Sequence, residues 1–588
     1  MINPNPRGDY PRPQLRRAQW QCLNGPWRIR ADDAGEGLRH QWHQKGLGAD
    51  AQSILVPFTP QAPASQAESL SHAACLWYER EFDEPPWSGP VMLHFGAADH
   101  WTRVFLNGQE IGQHRGGYAP FSFEISHALR PGSNRLTVRV EDSPSWSQPR
   151  GKQAGTTRWP IDYDPITGLW QTVWLEPVPA SSLSWLYPRF SLSEGALVVT
   201  AGFSRPVTGK VSLSLQREGS VVAQAFVEVD HRSEARLSFT LENPALWHPD
   251  HPYLYDLTVT LEDPLEGTRD QVESYLGLRE ITWDEAGLRL NGERLYLRGV
   301  LDQGYFPEGW YTAPSDEALR RDVELTLALG FNCARKHQKA EDPRYLYWAD
   351  RLGLLVWAEM PSGRIFSTDL VETLTQEWMT LIRRDRAHPS IITWVPFNES
   401  WGVWHQGSRP EQRAWVDSLY HLTKALDPSR PVVGNDGWEY SSGDLWTLHL
   451  YEEERPLEAR LAALRRDPET AVTNSWGGTP GRERRGALPG ADVSGLPMLL
   501  TECGGIGFGD GGADRFAYGD FPQTEAVLLR QIQGTLEKIA ASPSLAGYVW
   551  TQLTDVQQEV NGLLYFDRTP KLPLASLHAC FSRGGPGA

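Results

Sequence analysis

From residue 295 onward, eight short apolar runs recur, at 295–300, 332–336, 354–359, 391–399, 432–435, 446–451, 498–502 and 547–550. The stretches between them are long enough to hold helices. Such alternation implies a parallel sheet, because parallel strands need long crossover connections. Eight repeats over roughly 300 residues suit a (β/α)8 TIM barrel. The segment 314–330 reads as the first crossover helix, entered through Ser315 with Asp316 and Glu317 in its first turn. The runs 391–399 and 498–502 end on the carboxylates Glu399 and Glu502. If 295–300 is strand one, these residues end strands four and seven. The C-terminal tips of barrel strands converge on one face, where active sites lie. Two carboxylates there are the minimum equipment for cleaving a glycosidic bond. Trp394, Trp401 and Trp404 crowd Glu399. Apolar walls and a second carboxylate raise a carboxyl pKa, which assigns Glu399 as general acid/base and Glu502 as nucleophile. Asn398 can offer an amide hydrogen bond to a sugar hydroxyl. Spacing alone also fits two surface or salt-bridged glutamates.

The chain has 588 residues, too many for one core. Residues up to about 179 read as all-β: 77–82, 91–95 and 135–140 are strands, and Asn107-Gly108 marks a hairpin. Residues 150–167 form a long loop rich in Gly, Pro, Asp and aromatics, and long loops in compact domains are often functional. Short strands at 211–215, 221–229, 235–241 and 255–261 suggest a small immunoglobulin-like sandwich acting as a spacer. Residues 289–295 make one more hairpin before the barrel.

The formal charge is −17 with no long basic run, which argues against nucleic acid or an anionic membrane as partner. No stretch approaches the ~18 apolar residues of a membrane span, and residues 1–30 lack an apolar signal region. Cys22, Cys75, Cys333, Cys503 and Cys580 are scattered and form no C-x-x-C pair. Reduced thiols in a cytoplasmic protein fit this pattern better than disulfides or a zinc site. The 25 tryptophans suit either stacking on sugar rings or anchoring of large β-sandwiches.

An ordered series of motifs resembles glycoside hydrolase family 2, which includes β-galactosidases, β-glucuronidases and β-mannosidases. The series opens with Leu23-Asn24-Gly25-Pro26-Trp27, Leu106-Asn107-Gly108, Gly116-Gly117-Tyr118 and Thr167-Gly168-Leu169-Trp170. It continues through Leu246-Trp247-His248-Pro249, Leu297-Arg298-Gly299-Val300, Gly330-Phe331-Asn332 and His388-Pro389-Ser390. Phe397-Asn398-Glu399-Ser400-Trp401-Gly402, Leu500-Thr501-Glu502-Cys503-Gly504 and Asp567-Arg568 complete it. The resemblance implies a jelly-roll sugar-binding domain over 1–180, an immunoglobulin-like β-sandwich over 181–284 and a catalytic barrel over 285–588. It implies retention of anomeric configuration through a covalent glycosyl-enzyme, with Glu399 as acid/base and Glu502 as nucleophile. Arg335 resembles the family arginine that bonds the nucleophile, and Tyr451 the tyrosine that orients it. His449 shares a strand side with Tyr451. His337 reads as a substrate contact or a structural histidine. Trp550 reads as a subsite floor or a packed rim residue. Asp162 and Asp164 read as sugar ligands or as solvated loop charges.

Glucuronidase members carry an Asn-x-Lys element before the last-loop Asp-Arg, and its lysine reads the sugar carboxylate. By offset from Asp567-Arg568, Glu559 and Asn561 stand there instead. An acidic residue facing the sugar disfavours a uronate, so a neutral, β-galactoside-like terminal sugar is expected. Furanosides and pentosides, such as galactofuranosides and arabinosides, and a β-glucuronide are the alternatives. Loop 475–496, Gly- and Arg-rich and scarcely apolar, reads as a replacement for part of the pocket wall or as plain disorder. No metal or other cofactor is required by this chemistry, although some β-galactosidases bind Mg²⁺. The expected partners are a small oligosaccharide or glycoside and, as is common in the family, further copies of the chain. A non-catalytic carbohydrate-binding protein is the reading from another class, with loss of Glu399 or Glu502 as its signature.

Overall fold

The computed structural model describes residues 6–451, 457–470, 472–475 and 483–583. Its first unit is a sandwich of a six-stranded and a four-stranded sheet. Trp27, Tyr78, Val104 and Val138 of the larger sheet share one core with Leu93, Phe95, Val173 and Leu175 of the smaller. Alternation of buried and polar positions makes this possible, because successive strand side chains point to opposite faces. Asn107 and Gly108 have φ of 52° and 87°. Two positive angles are what a two-residue turn between antiparallel strands needs, and Leu106 pairs directly with Gln109.

The second, immunoglobulin-like unit has longer strands than its sequence suggests, and five of them share one sheet. Ala196–Arg217 and Ser220–Thr240 run for 22 and 21 residues and pair with each other. The polar stretch 230–234 looks like a turn, yet its backbone stays beside the partner strand. The ladder slips there, between Gly202 and Val207 and between Val207 and Gly209. Such bulges bend a strand without ending it, and the pair curls over Leu197, Val199, Val211 and Val259.

The third unit is the TIM barrel. Strands one to four are Leu297–Asp302, Cys333–Lys336, Leu355–Glu359 and Ile391–Val395. Strands six to eight are Trp446–His449, Met498–Gly504 and Leu545–Thr551. All pair in parallel, in the order four, three, two, one, eight, seven, six. The expected fifth strand, 432–435, is not a continuous ladder. Val432 bridges Trp394 and Asp436 bridges Asn398, while Val433 turns to an antiparallel bridge with Gly443. The first crossover helix spans Asp316–Ala328, and the Ser315 side chain accepts from the Ala318 N–H as an N-cap. Among the described residues, no helix is long and apolar enough to cross a membrane.

The long loop of the first unit docks on the barrel mouth. The N–H groups of Arg150 and Gly151 both donate to the Ser362 carbonyl, at 3.1 and 3.0 Å. Gly151 has φ of 59°, and a Cβ there would lie 2.2 Å from the Gln338 carbonyl oxygen. Only glycine tolerates both conditions. On the far side of the mouth, Gln558 Nε2 donates to the carbonyls of Pro160 and Asp162, at 2.7 and 2.6 Å.

Candidate active site

Arg335 is the hub of the barrel mouth. Its side chain is fully buried and touches residues from or beside four other strands. Nη1 donates to Glu502 Oε1 at 2.8 Å, and Nη2 donates to Asn398 Oδ1 at 2.6 Å. The guanidinium is also ion-paired with Glu359 at 2.7 Å and Asp436 at 2.9 Å. Burial disfavours the cation, but the charges of Asp436, Glu359 and Glu502 outweigh that and raise its pKa. Removing one member of a buried ionic network strands the others, at a cost of about 3–5 kcal/mol. Arg335→Met is therefore expected to lower the thermal midpoint clearly and to abolish turnover. Unchanged melting would show that the cluster does not need its cation.

Glu502 is held ionised. Burial pushes its pKa up, yet His449, Arg335, His337 and the Tyr451 hydroxyl together bring it down to about 2. Tyr451 donates to Oε2 at 2.5 Å, and its oxygen lies 3.0 Å from Thr551 Oγ1. The ring is fixed by Tyr518, stacked with centroids 4.1 Å apart. A hydrogen bond to a charged group is worth about 1.5–3 kcal/mol. Tyr451→Phe should accordingly lower kcat about 10- to 100-fold, with the acid limb of the pH profile shifted upward. An unshifted limb would mean that the hydroxyl does not act on Glu502.

Glu399 has the opposite environment. Burial first, then the charge of Glu502, raise its pKa, against the opposing pull of His449. His449 Nδ1 lies 2.7 Å from Glu399 Oε1 and 3.5 Å from Glu502 Oε1. Burial works against the imidazolium, but Glu502, Asp436 and Glu399 raise its pKa to about 10. The backbone at Glu399 and Ser400 is left-handed, with φ of 51° and 58°. Two consecutive non-glycine residues in that region are strained. The broken fifth strand holds them. The Glu399 N–H donates to the Asp436 carbonyl, the Ser400 N–H to Asn435 Oδ1, and Ser400 Oγ to Glu439. Strand five thus gives up ladder pairing where it shapes the turn that presents Glu399.

Asn398 keeps its Nδ2 without a partner among the described residues, free for a ligand oxygen. His337 is buried, with Nδ1 3.0 Å from Glu359 Oε1 and its ring edge-on to Trp401. Asp162 is buried and bonded to Arg364 at 2.5 Å. Asp164 is not brought to the carboxylates: it stays half-buried and pairs with Arg158. Trp550 is a correction to the subsite-floor expectation. Its ring packs edge-on against Phe581 of the last helix, with centroids 5.3 Å apart. It shares an apolar cluster with Leu528 and Ile532 of helix Glu525–Ala540. Side-chain direction alternates along a strand, so Thr551, and not Trp550, faces Glu502's partner Tyr451.

Glu559 is a second correction. It is buried, with Lys152 Nζ at 2.9 Å and the Tyr163 hydroxyl donating at 2.5 Å. Asn561 Nδ2 donates to it at 3.3 Å. Its charge is answered by the docked loop and does not face the sugar as a free anion. Of loop 475–496, residues 476–482 lie outside the described residues. Arg484 of that loop donates to the Trp404 carbonyl at 3.0 Å and pairs with Glu439 at 3.2 Å. Cys503 is buried with its thiol pKa pushed up, a poor nucleophile.

Sequence reasoning missed Glu359, Asp436 and Arg364. A signal existed for the first two: each stands at or beside the C-terminal tip of an apolar run, as Glu399 and Glu502 do. Glu399, His449 and Glu502 place one ligand-type atom each within 4.8 Å of one another, close enough to hold a metal ion. An ion there would occupy both catalytic candidates.

The family comparison agrees with this architecture in chain order. "Glycosyl hydrolases family 2, sugar binding domain" matches residues 20–175, "Glycosyl hydrolases family 2" residues 185–279, and "Glycosyl hydrolases family 2, TIM barrel domain" residues 282–462. The chain belongs to glycoside hydrolase family 2. The chain is 28% identical over 373 residues to a protein named beta-galactosidase from Thermoanaerobacter pseudethanolicus, covering 61% of this chain and 48% of that one. A protein named beta-glucuronidase from Paenibacillus borealis is 28% identical over 462 residues, covering 72% and 74%. A beta-galactosidase from Enterobacter cloacae is 27% identical over 631 residues, covering 95% and 56%. The chain thus spans about half the length of the two β-galactosidases. Among solved structures, a β-glucuronidase from Ruminococcus gnavus superposes with a TM-score of 0.78 at 20% identity, covering 97% and 99%. A β-galacturonidase from Eisenbergiella tayi gives 0.76 at 20% identity, covering 100% and 99%. At that identity the likeness concerns the fold.

Proposed function

We propose that this glycoside hydrolase is a retaining exo-glycosidase that removes one terminal sugar by double displacement. The observation that carries this reading is the approach of its two carboxylates. An oxygen of Glu399 and an oxygen of Glu502 lie within 4.8 Å. Retaining enzymes keep their carboxyl groups about 5–5.5 Å apart, whereas inverting enzymes need about 6.5–9.5 Å to admit a water. Electrostatics assigns the roles. Glu502, held ionised by Arg335, His449 and Tyr451, attacks the anomeric carbon. Glu399, whose proton is retained by burial and by its neighbour's charge, protonates the leaving oxygen. The glycosyl–Glu502 ester forms as the aglycone departs. Glu399, now ionised, takes a proton from water, which attacks the same carbon and releases the sugar with its original configuration. The docked loop 150–167 closes one side of the mouth, which favours a chain end over an internal bond.

The sugar is a separate question. Relatives named for galactosides and for glucuronides stand at similar identity. The neutral, β-galactoside-like sugar expected from the sequence rested on Glu559 facing the substrate and on Asn561 standing in the place of the glucuronidase lysine. Lys152 and Tyr163 answer that charge, so an acidic sugar has equal standing on that ground.

Following an aryl β-glycoside by proton NMR tests the mechanism. The first product observed, before mutarotation, should be the β-anomer. An α-anomer would overturn the retaining assignment.

A further inference from the structure

The double displacement leaves one buried cation at the barrel mouth without a task. Arg364 follows strand three, and its side chain is 4% exposed. Its guanidinium carbon lies 4.5, 4.4 and 4.2 Å from the ring centroids of Trp146, Trp159 and Trp401. Trp146 and Trp159 come from the docked loop region, and Trp401 stands two residues after Glu399. The three indoles exclude water and fix the orientation of the group. Asp162 accepts one bond from Nη2. Nε and Nη1 have no hydrogen-bond partner among the described residues. Burial lowers the pKa of Arg364 against the opposing charges of Asp162 and Glu399, so a single carboxylate does not fully compensate the cation.

Buried donors without partners are rare in folded proteins, and each one asks for an explanation. Here two donors sit on one charged group packed on Trp401, two residues after Glu399, and Trp401 Nε1 and Asn398 Nδ2 are also unpartnered. A sugar hydroxyl would satisfy an N–H of Arg364 but leave its charge under-compensated. A carboxylate would satisfy both, through a charge-assisted hydrogen bond. The carboxylate of Glu559, which would repel an acidic sugar, is already neutralised by Lys152.

We propose that Arg364 is a specificity-determining residue that receives a carboxylate carried by the substrate sugar, making the preferred substrate a uronoside. This rests on the glycosidase reading for turnover, but not for binding. The test compares wild type, Arg364→Met and Arg364→Lys on aryl β-glucuronide, β-galacturonide, β-glucoside and β-galactoside. Binding of free glucuronate, galacturonate, glucose and galactose is measured calorimetrically in parallel. Wild type should prefer a uronoside over its neutral counterpart. Arg364→Met should lose about 10- to 100-fold in kcat/KM on that uronoside, mostly through KM, and a clearly smaller factor on the neutral glycoside. Losing one charge-assisted hydrogen bond sets that scale. Arg364→Lys, which keeps the charge without the planar fork, should recover part of the loss.

Faster turnover of the neutral sugars by wild type would overturn the assignment and leave the glycosidase reading intact. So would equal losses on both classes in a folded Arg364→Met variant. Uronate binding that depends on Arg364, with no turnover of any glycoside, would support the assignment and refute the glycosidase reading. Absence of both uronate binding and turnover would remove both.

Discussion

Glu502→Ala should lower kcat on an aryl glycoside by at least about 10⁴-fold, the scale seen when a covalent nucleophile is removed. The folded state should survive, because Arg335 keeps Glu359, Asp436 and Asn398 as partners. Alanine leaves a gap where the carboxylate stood, beside two cationic groups, Arg335 and His449. A small anion such as azide can enter that gap and attack the anomeric carbon. Rescue by azide should therefore release a glycosyl azide of inverted configuration, α from a β-glycoside. The variant should still bind the sugar, since its loss lies in a bond made only during reaction. Activity above about 1% of wild type, or a β-azide product, would place the nucleophile elsewhere.

Glu399→Ala should act differently according to the leaving group. With an alkyl aglycone, which needs a proton, the loss should fall in the range of about 10²–10⁴-fold typical of general acids. With a dinitrophenyl aglycone, which departs unprotonated, the first step should survive and the glycosyl–Glu502 ester should accumulate. Mass spectrometry would then show the protein heavier by one sugar residue. Azide should speed the second step and give a product of retained configuration. The pH profile carries a second readout. Turnover requires Glu502 ionised, and its pKa lies at about 2, so the acid limb should fall below the ordinary carboxylate range. Turnover also requires Glu399 protonated, and its pKa is raised, so the alkaline limb should lie above that range. The limbs belong to the coupled pair. In Glu399→Ala with the dinitrophenyl substrate, the alkaline limb should disappear. A limb that persists unchanged would mean that another group supplies the proton.

Much of this was legible in the chain. The alternation after residue 295 is a local pattern, and parallel pairing follows from it almost by necessity. Asn107-Gly108 makes its turn because both residues tolerate positive φ, a property of the residues themselves. Glu399 and Glu502 were readable because the barrel rule converts position at a strand tip into position in space. The immunoglobulin-like strands were readable in composition but not in length. A bulge and a turn have the same polar residues, and only the partner strand tells them apart.

What the sequence by itself determined is therefore the family, the order of the three units and the two carboxylates that face each other. Tertiary structure alone decided the rest. Trp550 turned outward to Phe581 because strand parity is set by pairing, one residue being enough to change the face. Glu559 lost its reach over the substrate because Lys152, 407 residues earlier, lies 2.9 Å away. Arg364 became conspicuous only when indoles from two units enclosed it and left its donors unmet. In each case the deciding term is the approach of groups remote in the chain. Compensation of a buried charge depends on distance in space, which local pattern does not encode.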